Sequence, residues 1–61
     1  MKNKLKKVLE DKKITKYRMA KDLDVSLPTV YNWCKTDNIT PSKMKLICDY
    51  LKEPIGYVFE L

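Results

Sequence analysis

The chain has 61 residues, of which 13 are lysine or arginine and eight are aspartate or glutamate, and it contains no histidine and one glycine. Because histidine is the commonest general base and metal ligand, and phosphate-cradling loops need several glycines, we expect no enzyme activity, metal, cofactor or small-molecule ligand. The length allows one domain over residues 1–61. No apolar run approaches the roughly 20 residues of a membrane helix. Because Cys34 and Cys48 match no zinc spacing and are too few for a disulfide framework, we expect a cytoplasmic protein in which both thiols are reduced and buried.

The first two predicted elements are amphipathic helices. Over about residues 3–12, lysines surround an apolar stripe of Leu5, Val8 and Leu9. Thr15 offers its hydroxyl to cap a second helix that ends near Leu23. The apolar face of that second helix consists of Met19, Ala20 and Leu23.

Three further helices follow. Ser26 caps a third helix that extends to about Lys35, and Pro28 suits its first turn, where amides have no intrahelical partner. Thr40 and Pro41 begin a fourth helix, whose apolar stripe is Met44, Ile47, Cys48 and Leu51. Pro54 closes this helix and opens a last one over residues 55–59. No segment alternates with period two for long enough to predict a strand, so we expect an all-α fold of five helices.

Positive charge is concentrated near the start of the chain. The net charge is +5, and residues 1–21 hold nine of the cations against only Glu10 and Asp11. Such an asymmetry suggests a side that faces a polyanion. A merely solvated lysine surface would give the same pattern.

The spacing of apolar residues between Lys16 and Trp33 predicts a helix-turn-helix. Two helices joined by a turn of about three residues need a small side chain where their backbones meet, and Ala20 supplies it. Val25 in the turn, with Val30 and Trp33 on the next helix, would hold the second helix in place. These positions follow Ala20 by five, ten and thirteen residues, a pattern typical of helix-turn-helix proteins.

On the third helix, Val30, Trp33 and Cys34 face inward, so Pro28, Asn32 and Lys35 point outward. Asn32 is the best candidate for reading a base, because an amide pairs with adenine through two hydrogen bonds. Thr29 flanks this face with a hydroxyl and a methyl group. Apolar contacts to thymine methyls would come from Leu27, Pro28 and Tyr31.

Each of these residues has a simpler interpretation. Asn32 would also fit as an ordinary surface amide. Leu27 would fit as an apolar residue that packs against the start of the helix, and Tyr31 as a half-buried packing residue or a phosphate contact.

Three lysines are better placed to contact phosphates, which position a protein on DNA without reading its sequence. They are Lys16, Lys35 and Lys43.

The chain resembles the Cro and lambda-repressor-like helix-turn-helix family, also called the XRE family. The residues that carry the resemblance are Thr15, Ala20, Val25–Ser26, Val30, Trp33, Pro41 and the closing segment Leu51 to Phe59. It implies a Cro-type repressor, often encoded by phages or mobile elements, that binds double-stranded operator DNA as a homodimer. The positions matching base contacts are Leu27, Pro28 and Asn32, with Thr29 and Tyr31 close by. The positions matching backbone contacts are Lys16, Tyr17, Lys35, Thr40, Ser42 and Lys43.

Three positions depart from the family pattern. Asp24 occupies a turn position where glycine is usual, although aspartate tolerates a left-handed conformation better than most residues. The glutamines common near the starts of both helices are replaced by Lys16 and by Leu27–Pro28. Arg18 stands where an acidic residue is often found.

The apolar tail at the end of the chain suggests self-association. We expect a twofold interface around Leu46, Tyr57, Phe59 and Leu61, unless the tail only closes the core. Two other functions also fit the residues. One is a protein-binding module, such as an antirepressor, and the other is non-specific nucleic-acid packaging.

Overall fold

The computed structural model describes residues 2–60. Within this range the chain forms five helices and one pair of two-residue strands. In chain order the elements are β1 (Lys2–Asn3), α1 (Leu5–Asp11), α2 (Lys16–Leu23), α3 (Leu27–Lys35), α4 (Pro41–Leu51), α5 (Ile55–Val58) and β2 (Phe59–Glu60). No helix in the described range is long and apolar enough to cross a membrane. The five predicted helices are confirmed.

The strand pair was not predicted. β1 and β2 run antiparallel, with Lys2 opposite Glu60 and Asn3 opposite Phe59. Two-residue strands are too short to show alternation in a sequence, and only the fold brings the two ends of the chain together. As a consequence α1 begins at Leu5 rather than near residue 3, and α5 ends before Phe59.

Two of the predicted helix caps form in full. The Thr15 hydroxyl accepts a 3.0 Å hydrogen bond from the Arg18 backbone N–H, and the Ser26 hydroxyl accepts one of 3.3 Å from that of Thr29. Thr40 takes the capping position of α4, but its side chain makes no capping hydrogen bond. Its backbone carbonyl accepts from the Met44 N–H at 2.9 Å instead.

The predicted apolar stripes form one core between the helices. Its buried residues are Leu5, Val8, Leu9, Met19, Ala20, Val30, Trp33, Ile39, Met44, Ile47, Cys48, Leu51, Val58 and Phe59. Leu23, Val25 and Cys34 are only partly buried at its edge. Their positions beside exposed helix ends and the surface of α1 leave part of each side chain in water.

The prediction that Phe59 belongs to a twofold interface is wrong. Its side chain is 0% exposed, because β2 turns it toward the core while pairing its backbone with Asn3. Leu46 and Tyr57 do lie on the surface. Leu61, the fourth residue of that predicted interface, lies outside the described residues.

Three helices end in left-handed residues that are not glycine. Lys13, Asp24 and Lys52 have φ angles of 58°, 57° and 58°. The residue after each one donates its N–H to a carbonyl five residues back, as Glu53 does to Cys48 at 3.1 Å. Glycine is the usual residue at such helix ends, because a Cβ is strained there.

Lys52→Gly is therefore expected to stabilise the protein by about 0.5–1 kcal/mol, after allowing for the extra freedom of glycine in the unfolded chain. In a domain of this size the melting temperature would rise by roughly 2–8 °C. Lys45→Gly is the matched control, since Lys45 lies within α4 and glycine inside a helix costs about 1 kcal/mol. Thermal melts followed by circular dichroism should shift in opposite directions, and equal losses of stability in both variants would contradict the strain argument.

Candidate nucleic-acid interface

The turn between α2 and α3 begins at Asp24. This residue adopts φ 57° and ψ 45°, so the predicted left-handed aspartate is confirmed. The Val25 N–H donates to the Ala20 carbonyl at 3.0 Å, which closes the end of α2. Ser26 then caps α3 directly, so the turn between α2 and α3 consists only of Asp24, Val25 and Ser26.

The residues predicted to lock the two helices together are in contact with the core. Ala20, Val30 and Trp33 are buried, and Val25 is partly buried against them. With its inner face held in this way, α3 exposes the opposite side to solvent. The expected arrangement of α2, turn and α3 is confirmed.

The outer face of α3 exposes Pro28, Asn32 and Lys35. Among hydrogen bonds within residues 2–60, none involves the Asn32 side chain. Its amide therefore keeps both donors and its acceptor for an external partner.

The two base-reading candidates at the N-terminal end of α3 are more restricted. Leu27 is half-buried and packs against the core. The Thr29 hydroxyl lies 2.6 Å from that of Ser26, so it already has one hydrogen-bond partner. Both residues contribute to holding the start of α3, whatever they contact outside the protein.

Tyr31 lies toward the start of α2 rather than at the centre of the outer face. Its side chain is 49% exposed, and the Lys16 ammonium sits 5.3 Å from the centre of its ring. This distance is within the range of a cation–π contact. The structure thus places one predicted base-reading residue against one predicted phosphate-binding residue.

A surface cleft of about 490 Å³ surrounds this pair. Its walls include the tyrosine rings of Tyr17 and Tyr31 and the lysines Lys6, Lys13 and Lys16. Lys6 and Lys13 were not among the predicted phosphate-binding residues, although both belong to the cation-rich start of the chain. The cleft brings three lysines together beside α3, with Glu10 as the one acidic lining residue within the described range.

The remaining predicted phosphate contacts sit together at the start of α4. Thr40, Ser42 and Lys43 are all exposed, and the hydroxyl oxygens of Thr40 and Ser42 lie 3.4 Å apart. Hydroxyl groups, backbone amides at a helix start and a lysine are groups that commonly contact phosphate oxygens. This second group is joined to α3 by the loop over residues 36–40.

Comparison with known families decides the classification. A family model described as the Cro/C1-type HTH DNA-binding domain matches residues 4–61. The chain belongs to this family. It is a helix-turn-helix DNA-binding regulator, and the resemblance seen in the sequence is confirmed. Neither the curated proteins nor the solved structures gave a match to the chain.

Arg18 of this Cro/C1-type domain forms an ion pair with Asp22, four residues later on α2. Its Nε lies 3.1 Å from the Asp22 carboxylate, and the Tyr50 hydroxyl donates a 2.6 Å hydrogen bond to the same oxygen. The Tyr50 hydrogen bond is the main reason that the pKa of Asp22 is lowered, with Arg18 and Lys21 acting in the same direction. Arg18, which replaces the acidic residue common in the family, pairs with Asp22 within α2, and the hydrogen bond from Tyr50 to Asp22 links α2 to α4.

The two cysteines of the domain are free thiols. Cys48 is buried as predicted, whereas Cys34 is only half-buried because it lies where α3 meets the lysine-rich surface of α1. Burial raises the pKa of both thiols. Both are therefore protonated at neutral pH, the form with little nucleophilic reactivity.

Proposed function

We propose that this protein is a transcriptional repressor that reads operator DNA with α3 in the major groove. The observation that carries the proposal is the exposed Asn32 amide on a helix whose opposite face is locked into the core. A helix of this kind fits the major groove, whose base edges carry a distinct pattern of donors and acceptors for each base pair.

Asn32 is the central base reader in this proposal. Its amide pairs with N6 and N7 of adenine. Pro28, exposed one turn before it, contacts a thymine methyl, and Leu27, Thr29 and Tyr31 line the edges of the contact. Because Leu27 and Thr29 are partly engaged within the protein, most of the discrimination falls to Asn32.

Phosphate contacts from two groups of residues fix the register of α3 on the duplex. One group comprises Lys16 and Tyr17, with Lys6 and Lys13 in the same cleft. The other group comprises Thr40, Ser42 and Lys43 at the start of α4, and Lys35 is exposed in the last turn of α3. Contacts with two flanking stretches of backbone orient a helix that is inserted between them.

Repression follows from occupancy alone. A protein bound across an operator excludes polymerase without presenting any further surface, whereas activation requires a second contact. One module of this size would bury roughly 600–1,000 Å² of its surface on DNA, which is modest for tight binding.

A second copy of the chain would remedy this small contact area. Helices α4 and α5 pack against each other. Their surface exposes three large apolar side chains, those of Leu46, Ile55 and Tyr57. We assign the twofold contact to this surface, with half-sites about one helical turn apart. Tyr57→Glu is expected to shift the protein toward monomer in analytical ultracentrifugation, and circular dichroism should show that the monomer remains folded, since Tyr57 is 51% exposed. A wild-type protein that stays monomeric at micromolar concentration, on and off DNA, would remove the dimer from the proposal.

Selection of bound duplexes from a random pool, followed by gel shifts at several salt concentrations, tests the function. The proposal requires an enriched sequence motif, symmetric if two copies bind. Binding with a steep salt dependence and no motif would indicate nucleic-acid packaging instead. No binding at all would favour the protein-binding alternative.

A further inference from the structure

The side chain of Asn3 joins the start of the chain to the far end of α3. Its Nδ2 donates hydrogen bonds of 2.7 Å to the backbone carbonyls of Trp33 and Thr36. Its Oδ1 accepts a 2.9 Å hydrogen bond from the backbone N–H of Leu5, the first residue of α1. Both donors and the acceptor of the amide are thus engaged with backbone groups of two helices.

These contacts satisfy backbone carbonyls at the C-terminal end of α3, whose inner face is held in the core by the Trp33 side chain. The last carbonyls of a helix have no intrahelical partner, and the helix-turn-helix turn fixes only the N-terminal end of α3. Asn3 supplies donors for a carbonyl in the last turn of α3 and for that of Thr36, which follows it. The recognition helix is consequently held at both ends.

Asn3 is itself well anchored. Its backbone pairs with Phe59, which is buried in the core, and the next residue, Lys4, donates its N–H to the Val58 carbonyl at 2.9 Å. The strand pair therefore places the amide of Asn3 at a fixed distance from the core. Through its two hydrogen bonds, the Asn3 amide holds the C-terminal end of α3 at a fixed distance from the strand pair.

We propose that Asn3 is a positioning residue for base recognition, which sets the orientation of α3 without contacting a base. This inference rests on the proposed function and extends it. Loss of the two donors would leave α3 in the binding-competent orientation for only part of the time, and apparent affinity falls in proportion to that fraction. Affinity for random duplex, which depends on phosphate contacts, would change little.

Two variants remove the amide NH₂ that donates to Trp33 and Thr36 while keeping an oxygen that can accept from the Leu5 N–H. Asn3→Asp has the same shape and no donor, and Asn3→Ser is neutral, with a single hydroxyl one bond closer to the backbone than the amide nitrogen. Each is expected to lower the ratio of operator to random-duplex affinity about tenfold. Asn38→Asp is the matched control, because it makes the same chemical change on an exposed residue two positions after Thr36 and should leave the ratio unchanged. Thermal melts confirm that each variant is folded at the assay temperature.

Hydrogen exchange measured by NMR separates positioning from a general loss of stability. In the wild-type protein the side-chain NH₂ of Asn3 should exchange slowly. In Asn3→Ser the Thr36 amide, which donates to the Asn32 carbonyl at 3.0 Å, should exchange faster while Met19 and Ile47 in the core remain protected. Fast exchange of the wild-type Asn3 amide, or folded variants that discriminate operator as the wild type does, would overturn the inference. A wild-type protein without sequence preference would overturn the proposed function instead, and the exchange of Thr36 would then decide whether Asn3 holds α3.

Discussion

Phe59→Ala is expected to leave a large fraction of the protein unfolded at 37 °C. Replacing a fully buried phenylalanine with alanine costs about 3–5 kcal/mol, because apolar contacts are lost and a cavity remains. A domain of this length has a total stability of roughly 3–9 kcal/mol. The Phe59 side chain is 0% exposed and belongs to the same buried core as Leu5 and Val58, so its truncation carries the cost of a fully buried aromatic residue.

Urea unfolding followed by the fluorescence of Trp33, the one tryptophan of the chain, measures this change. Tyr57→Ala is the matched control, since it truncates an aromatic residue two positions earlier that is half exposed. It is expected to cost less than 1 kcal/mol. A Phe59→Ala protein that unfolds like the wild type but loses self-association would restore Phe59 to the interface and contradict the packing described here.

The helices were predictable because each depends on local patterns. Apolar residues at helical spacing, a capping residue such as Thr15 or Ser26, and Pro41 at a helix start all act within a few residues of the chain. The left-handed conformation of Asp24 was expected from the family resemblance, which puts glycine at this turn position, and aspartate tolerates that conformation better than most residues. The capping residues and apolar spacing predict the first and last residues of α2 and α3 closely.

Contacts between distant residues were not predictable in the same way. The strand pair joins residues near the two ends of the chain, and Asn3 meets the carbonyls of Trp33 and Thr36 across 30 and 33 positions. A single asparagine near the start of a chain carries no signal of this kind. Phe59 was misassigned for the same reason, since an apolar tail fits either a core or an interface, and only the pairing of its backbone with Asn3 turns its side chain into the core.

The candidate interface combines both kinds of information. Helical periodicity alone placed Asn32 and Lys35 on the outer face of α3. The contact of Lys16 with Tyr31 depends instead on how α2 and α3 pack, and it joins two side chains that were assigned different roles. Under the proposed function, this contact would let Tyr31 orient Lys16 toward a phosphate rather than reach a base at the centre of the groove.

Asn32→Ala and Lys16→Ala are expected to affect DNA binding in different ways. Loss of a bidentate contact from Asn32 should cost about 1–3 kcal/mol, or about 5- to 150-fold in affinity, at the selected operator and should relax the choice of base at one position. Loss of the Lys16 charge should weaken operator and random duplex by the same factor. It should also reduce the slope of log affinity against log salt by about one unit.

Fluorescence anisotropy with both duplexes, over a range of salt concentrations, resolves the two effects. Asn38→Ala controls for removal of a surface amide, and Lys52→Gly controls for removal of one positive charge, because Lys52 lies at the end of α4 opposite the Thr40–Lys43 group. Neither control should change base preference, and Lys52→Gly should leave the salt slope close to that of the wild type. If Asn32→Ala and Lys16→Ala give the same profile on both duplexes, Asn32 contacts the backbone rather than a base, and discrimination must come from Pro28 and the residues around it.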